Sequence, residues 1–187
     1  TTTARLLAKA LNCERGPTPE PCNQCDACRQ IALGTDIDVL EIDGASNNSV
    51  DDVRRLQETL PFRPARDRFK IVIVDEVHTL SAGAFNAFLK TLEELPEHVK
   101  FVFATTEIHK VPITIRSRCQ RYDFRLIPQG VVTDRVRKIL ATEKITADDA
   151  DTRPVCRRAA AAGMVQPKTA EGERPRGPPT RLAALGP

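Results

Sequence analysis

The chain has 187 residues, 41% hydrophobic and 28% charged, which suits one globular domain with a small appendage and excludes a disordered or wholly membrane-embedded protein. No run approaches the roughly 20 apolar residues that span a bilayer, and no basic-then-apolar leader opens the chain, so it reads as cytoplasmic. Of the net charge of +3, residues 165–187 hold +2, through Lys168, Arg174, Arg176 and Arg181 against Glu171 and Glu173, leaving +1 on residues 1–164 and no whole-domain field that argues for nucleic acid.

In chain order, Leu6, Leu7, Ala10 and Leu11 recur at helical spacing and predict a helix over Thr2–Asn12. That pattern is already running at residue 1, so the reading expects sequence upstream. Cys13, Cys22, Cys25 and Cys28 follow with the spacing C-x8-C-x2-C-x2-C. Thiolates so spaced suit a tetrahedral zinc ion, and four protein ligands leave no open position, so the expected role is structural. A cytoplasmic chain disfavours disulfides, and Ala32 stands where a common iron–sulfur run would need its next cysteine. Cys119 and Cys156 stand apart and read as ordinary buried thiols.

Strands are predicted at Val39–Ile42, Lys70–Val74, Phe101–Thr105 and Gln120–Phe124. Helices are predicted at Ser49–Leu60, Ser81–Glu94, Pro112–Ser117, Val131–Glu143 and Asp148–Ala160. Ser49 with Asp52 offers a capping box, and Pro61 and Pro96 follow two of the helix ends. Ile71–Val74 is apolar on both faces, as a central parallel strand should be. The alternation predicts a doubly wound α/β sheet, followed without further strands by the start of a small helical domain. From Val165 onward five prolines and three glycines break any periodicity, and the expectation is a disordered tail.

The chemistry concentrates at two strand ends. Ile71–Val74 runs into Asp75-Glu76, the Walker B arrangement, in which the first carboxylate sits near Mg²⁺ and the second orients and deprotonates water. Two solvated acids at a strand end give the same short pattern. Phe101–Thr105 ends in Thr105 and Thr106, hydroxyls able to sense a γ-phosphate or position water. Ser117-Arg118-Cys119 sets an arginine between a helix and the next strand, while Arg116 reads as a surface charge and His78 as a packed or hydrogen-bonded side chain. Arg54, Arg55, Arg63, Arg66 and Arg68 lie on or after the helix that starts at Asn47–Ser49, where a phosphate could meet backbone donors. Asp51, Asp52, Glu58 and Asp67 interleave with them, so a solvated mixed-charge face fits as well.

Several stretches carry a resemblance: GPTPEPCNQCDACR, DVLEIDGASNNSVDDVR, IVIVDEVHTLS, AFNAFLKTLEELP and KFVFATTEIHKVPITIRSRCQRYDF. The chain resembles the gamma/tau motor subunits of bacterial DNA polymerase III clamp loaders, which are AAA+ ATPases. The resemblance implies a partial AAA+ core of the P-loop NTPase type over residues 1–127, with a zinc module at 13–28, and a helical lid beginning over 128–164. It leaves 165–187 outside the family. It implies that Asp75, with Thr1, supports Mg²⁺, that Glu76 orients the attacking water, and that Thr106 is the sensor, with Thr105 the fallback. Arg118 becomes an arginine finger reaching a neighbouring subunit's ATP. The implied cofactors are ATP, Mg²⁺ and structural zinc. The implied partners are the other AAA+ subunits of a ring, the sliding clamp and primed DNA, with no membrane.

In the family a glycine-rich loop ending Gly-Lys-Thr precedes the first helix, and its strand lies between those ending at Thr105–Thr106 and beginning at Gln120. Only the hydroxyl of Thr1 matches that loop, so this polypeptide is expected to show no ATP hydrolysis alone, and the edges beside the missing strand must pair otherwise or take water. The alternative function is a non-catalytic, zinc-containing module that binds partner subunits. A free zinc-dependent nucleic-acid binder fits poorly with 4% aromatic residues. Nothing in the chain forms a polymerase site, so polymerisation is expected of other holoenzyme subunits.

Overall fold

The computed structural model describes residues 1–143, 165–167 and 184–186, and the chain divides into two units, Thr1–Tyr122 with Glu173–Gly186 and Asp123–Gly172 with Pro187. In the first, β1 (Val39–Asp43), β2 (Lys70–Asp75) and β3 (Val99–Ala104) run parallel, with Val39 opposite Ile71 and Lys70 opposite Val99. The helices are α1 (Thr2–Asn12), α2 (Asp26–Leu33), α3 (Val50–Thr59), α4 (Ala82–Glu93) and the single turn α5 (Ile113–Arg116). Parallel strands need crossovers, and α3 and α4 supply them between β1 and β2 and between β2 and β3. Ile71, Val72, Ile73 and Val74 are all fully buried, as the two-faced apolar run predicts.

On one face of the sheet, Val72, Val74, Phe101 and Phe103 pack with Val53 and Leu56 of α3 and with Phe85, Phe88 and Leu92 of α4. The ring of Phe88 meets Phe101 and Phe103 edge-on, with centroids 5.6 and 5.8 Å apart. The expected capping box of α3 forms, Ser49 accepting from the Asp52 amide while Asp52 accepts from the Ser49 amide. Two side-chain anchors hold α1. Arg5 donates to both carboxylate oxygens of Glu41 on β1, at 2.8 and 3.0 Å, and the buried Asn12 amide exchanges two hydrogen bonds with the Phe69 backbone.

β3 starts at Val99 and stops at Ala104, so Thr105 and Thr106 sit just past its carboxyl end rather than within it. α2 is a helix that hydrophobic periodicity did not single out. Cys25 caps its start and Gly34, at a φ of 71°, closes its end in the left-handed conformation that suits glycine. Strands also follow the helical region, against expectation. Residues Ala184–Gly186 form β6, which adds to β3 in parallel through Phe103↔Ala184 and Ala104↔Leu185. A strand edge with free N–H and C=O groups accepts any extended segment that reaches it.

In the second unit the end of β4 (Arg121–Leu126) pairs antiparallel with β5 (Val165–Pro167), Phe124 opposite Pro167 and Leu126 opposite Val165. α6 (Gln129–Thr142) opens two residues earlier than predicted, just after Pro128, which stands at its N-cap. Val132 is its buried residue. The expected helix Asp148–Ala160, Cys156 and most of the tail lie outside the described residues. Among the described residues, no helix is long and apolar enough to cross a membrane.

Candidate functional site

Two strand ends build the first site. β2 ends in Asp75 and is followed by Glu76, and its neighbour β3 is followed by Thr105 and Thr106, so all four stand at the carboxyl ends of adjacent parallel strands, where open α/β sheets place ligands. The Thr1 hydroxyl donates to Asp75 Oδ2, so the start of α1 reaches the same point. Burial works to raise the Asp75 carboxyl, but the Thr1 hydroxyl, the Thr1 ammonium 3.5 Å from Oδ2 and the Glu76 N–H, which donates to Oδ1 at 3.0 Å, together outweigh it and hold the group below the usual carboxylate range. Asp75 is therefore an anion with a hydroxyl beside it, the donor pair a magnesium ion takes.

Glu76 adopts φ 46° and ψ 45°, a left-handed backbone rare for a residue with a Cβ. The Glu76 carbonyl accepts from the Thr79 amide and hydroxyl at 2.9 and 2.8 Å, which pins that conformation. Strain of this kind gathers at sites where the chain must aim a side chain. Here it turns the Glu76 carboxylate toward β3, and the Thr106 hydroxyl donates to its Oε2 at 3.2 Å. Of the two threonines, Thr106 is thus the one that reaches the acid. Thr105 is buried, accepts from the Glu107 amide and lies 3.0 Å from His78 Nδ1.

The structure brings Thr1, Asp75, Glu76 and Thr106 together. Arg118 stands apart from them, its guanidinium donating to the Thr114 carbonyl at 2.8 Å and to Glu93 Oε1. Arg116 is half-buried rather than the expected surface charge, and its Nε is enclosed without a hydrogen-bond partner. His78 was given no role by the sequence pattern, yet it sits between Glu76 and Glu107 and is only 12% exposed. Its position two residues after the acid pair was the only signal.

The cysteines build a second site at the junction of α1 and α2. One sulfur from each of Cys13, Cys22, Cys25 and Cys28 lies within 4.8 Å of the others. Cys22 and Cys28 are 4.0 Å apart at sulfur, near the roughly 3.8 Å edge of a tetrahedron with Zn–S of about 2.3 Å and about twice a disulfide length. All four are free thiols. Backbone amides of Gln24 and Cys25 donate to Cys22 Sγ at 3.4 and 3.3 Å and lower that thiol to about 6, while burial raises Cys28. A thiolate with amides already aimed at it is what a thiophilic metal needs of its first ligand. Cys119, expected to be a buried thiol, is half-buried, and that burial pushes it up to about 11.

The basic face resolves toward its mixed-charge reading. Arg54 pairs with Asp51 at 3.1 Å, Arg55 with Asp52 at 3.9 Å, and Arg66 with Asp36 and Asp67. The start of α3 is capped by its own Ser49 and carries two acids in its first turn, which leaves little there for a phosphate.

The family model described as "DNA polymerase III, delta subunit" matches residues 1–128. The chain is 51% identical over 149 residues to DNA polymerase III subunit tau of Bacillus subtilis, covering 80% of this chain and 26% of that protein. It is 50% identical over 145 residues to subunit tau of Escherichia coli K12, 78% of this chain and 23% of that one. With subunit gamma of Buchnera aphidicola from Acyrthosiphon pisum it shares 48% over 149 residues, 80% of this chain and 41% of the other. The chain thus spans between about a quarter and two-fifths of these relatives' length. A gamma subunit-related protein of Thermotoga maritima is a looser likeness, with a TM-score of 0.49 at 28% identity, 74% of this chain and 49% of that one. With the Thr1–Asp75–Glu76–Thr106 constellation and the cysteine cluster set in the stretch that aligns, the chain belongs to the DNA polymerase III family of clamp-loader subunits, beside its tau and gamma members.

Proposed function

We propose that this chain is part of a clamp-loader motor, a subunit that binds and hydrolyses ATP to load a sliding clamp onto primed DNA. The observation that carries the reading is the meeting of Thr1, Asp75, Glu76 and Thr106 at the ends of β2 and β3. Thr1 and Asp75 would hold Mg²⁺, which when bound to the nucleotide neutralises charge on the phosphates. Glu76 accepts a proton from, and so orients, the attacking water, and Thr106 fixes that carboxylate and lies where a γ-phosphate would be sensed. Arg118, outside this cluster and partly exposed, is the arginine finger for a neighbouring subunit's nucleotide. Its partners in this reading are the other subunits of the ring, the clamp and primed DNA, in the cytoplasm. Cys13, Cys22, Cys25 and Cys28 hold a structural zinc ion, a role their amide-bonded sulfurs fit.

The test is steady-state ATP hydrolysis by the full-length protein assembled with its partner subunits. Glu76→Gln is expected to lower kcat by about 100-fold or more while nucleotide still binds, because the amide cannot take the water's proton. Unchanged turnover would remove Glu76 from the reaction.

A further inference from the structure

Glu76 is held from one side by Thr106, and something must hold it from the other. His78 occupies that place. Its Nδ1 lies 3.2 Å from Glu76 Oε2, the same oxygen that accepts from Thr106. The same Nδ1 is 3.0 Å from the Thr105 hydroxyl, and Nε2 is 3.4 Å from Glu107 Oε1. The hydrogen bond with Thr105 fixes the ring at Nδ1, and Nε2 faces Glu107. Glu107 is in turn anchored by Lys110, 2.8 Å from its Oε2, and has His109 at 3.5 Å.

We propose that His78 is a positioning residue for ATP hydrolysis, acting through Glu76; this rests on the reading of Glu76 as the group that orients water. The single turn Val77–Thr79 that follows the strained Glu76 backbone brings the imidazole back over the acid. With Oε2 engaged by Thr106 and flanked by His78, the carboxylate cannot rotate freely. Oε1, which makes no hydrogen bond to a described residue, is then left as the proton acceptor. A carboxylate 42% exposed and held by Thr106 alone would sample several rotamers, and turnover depends steeply on the position of the accepting oxygen. The packing of the ring between Thr105 and Glu107 gives β3's carboxyl end a mechanical link to the acid at the end of β2. A shift of the Thr105–Glu107 segment would therefore move Glu76.

The experiment compares His78→Leu and His78→Asn in the full-length protein assembled with its partner subunits. It reads kcat for ATP and, separately, the Kd of a non-hydrolysable β,γ-imido analogue of ATP. Leucine keeps bulk but no polar atom, and asparagine places an amide nitrogen where Nδ1 stands. His78→Leu is expected to lower kcat by about 10- to 100-fold with Kd changed less than about 2-fold. His78→Asn is expected to recover most of that loss. Wild-type kcat in the leucine variant, a parallel loss of kcat and affinity, or an asparagine variant as slow as leucine would each overturn the proposal. Should the leucine variant fail to fold, His78→Gln replaces it. Its amide lies at the Nε2 side, so it is expected to be slow, and normal turnover overturns the proposal. Glu76→Gln in the same assay separates the failures. If that variant turns over normally, the reading of Glu76 falls and the role of His78 with it. If it is inactive while His78→Leu is normal, only the role of His78 falls.

Discussion

Asp36, Asp38 and Asp67 bring carboxylate oxygens within 4.8 Å of one another, with Arg66 as the adjoining cation, and the three acids do not behave alike. Asp38 is 1% exposed and accepts from the amides of Ala65, Arg66 and Asp67 at 2.8, 2.8 and 2.9 Å. Burial pushes its carboxyl up, but those three N–H donors win and hold it below the ordinary range. Asp67 goes the other way. Burial raises it, the charges of Asp36 and Asp38 add to that against the pull of Arg66, and its Oδ2 has no hydrogen-bond partner.

The two shifts have opposite consequences for stability. Asp38 contributes stability that is present above the unfolded-state value near pH 4 and is lost as pH falls through its depressed folded value. Ionised Asp67 costs stability above its raised folded value, and that cost disappears on acidification. Asp38→Ala is expected to destabilise the protein by about 2–4 kcal/mol, since buried amides lose their acceptor. Asp67→Asn is expected to raise the melting temperature at pH 7 by a few degrees, a gain that shrinks toward pH 4. Thermal melts of both variants across pH check the pair. No linear pattern exposes this cluster, because Asp67 and Arg66 lie about 30 residues from Asp36 and Asp38 and meet them only where the loop before β2 folds over the start of β1.

Among the elements, α4 shows how far pattern reading goes. Its span is legible from spacing, and the helix forms over Ala82–Glu93, capped by the Ser81 side chain, with Phe85, Phe88 and Leu92 buried. The edge-on contact of Phe88 with two β3 rings is not legible, because ring orientation depends on the register of β2 against β3. Phe88→Ala is expected to cost about 3–5 kcal/mol, read by denaturant unfolding of the full-length protein. α2 was missed for a related reason. It has eight residues, too short for periodicity to stand out, and its start is set by a cysteine whose sulfur accepts the amide three residues on. The Cys25 sulfur is at once the helix cap and a member of the four-cysteine cluster.

For the whole molecule, the cysteine module matters because it fixes where α1 and α2 meet. α1 also carries Arg5, bound to β1, and at its start Thr1, bound to Asp75. If zinc holds the module, the full-length protein contains about one equivalent per chain in addition to any bound elsewhere. Stripping it with a chelator is expected to lower the melting temperature and weaken nucleotide binding together, because the position of Thr1 depends on that of α1. Metal analysis with melting curves checks this, and a Cys22→Ser/Cys25→Ser protein that melts like the wild type would sink the structural role.

The sequence by itself determined the alternation of strands and helices from β1 to α6, the central position of β2, the four-cysteine spacing and the carboxylates and hydroxyls at two strand ends. Each of these depends on local spacing or on the residue types that chemistry requires. Only the tertiary structure decided that Thr106 rather than Thr105 reaches Glu76, that His78 stands between two acids, and that Arg66 belongs to a carboxylate cluster instead of an exposed basic face. Those outcomes turn on the register of one strand against the next and on one left-handed residue at the end of β2. A shift of one position in a strand sends every side chain to the opposite face, and nothing in the linear pattern records which residue will pay that turn.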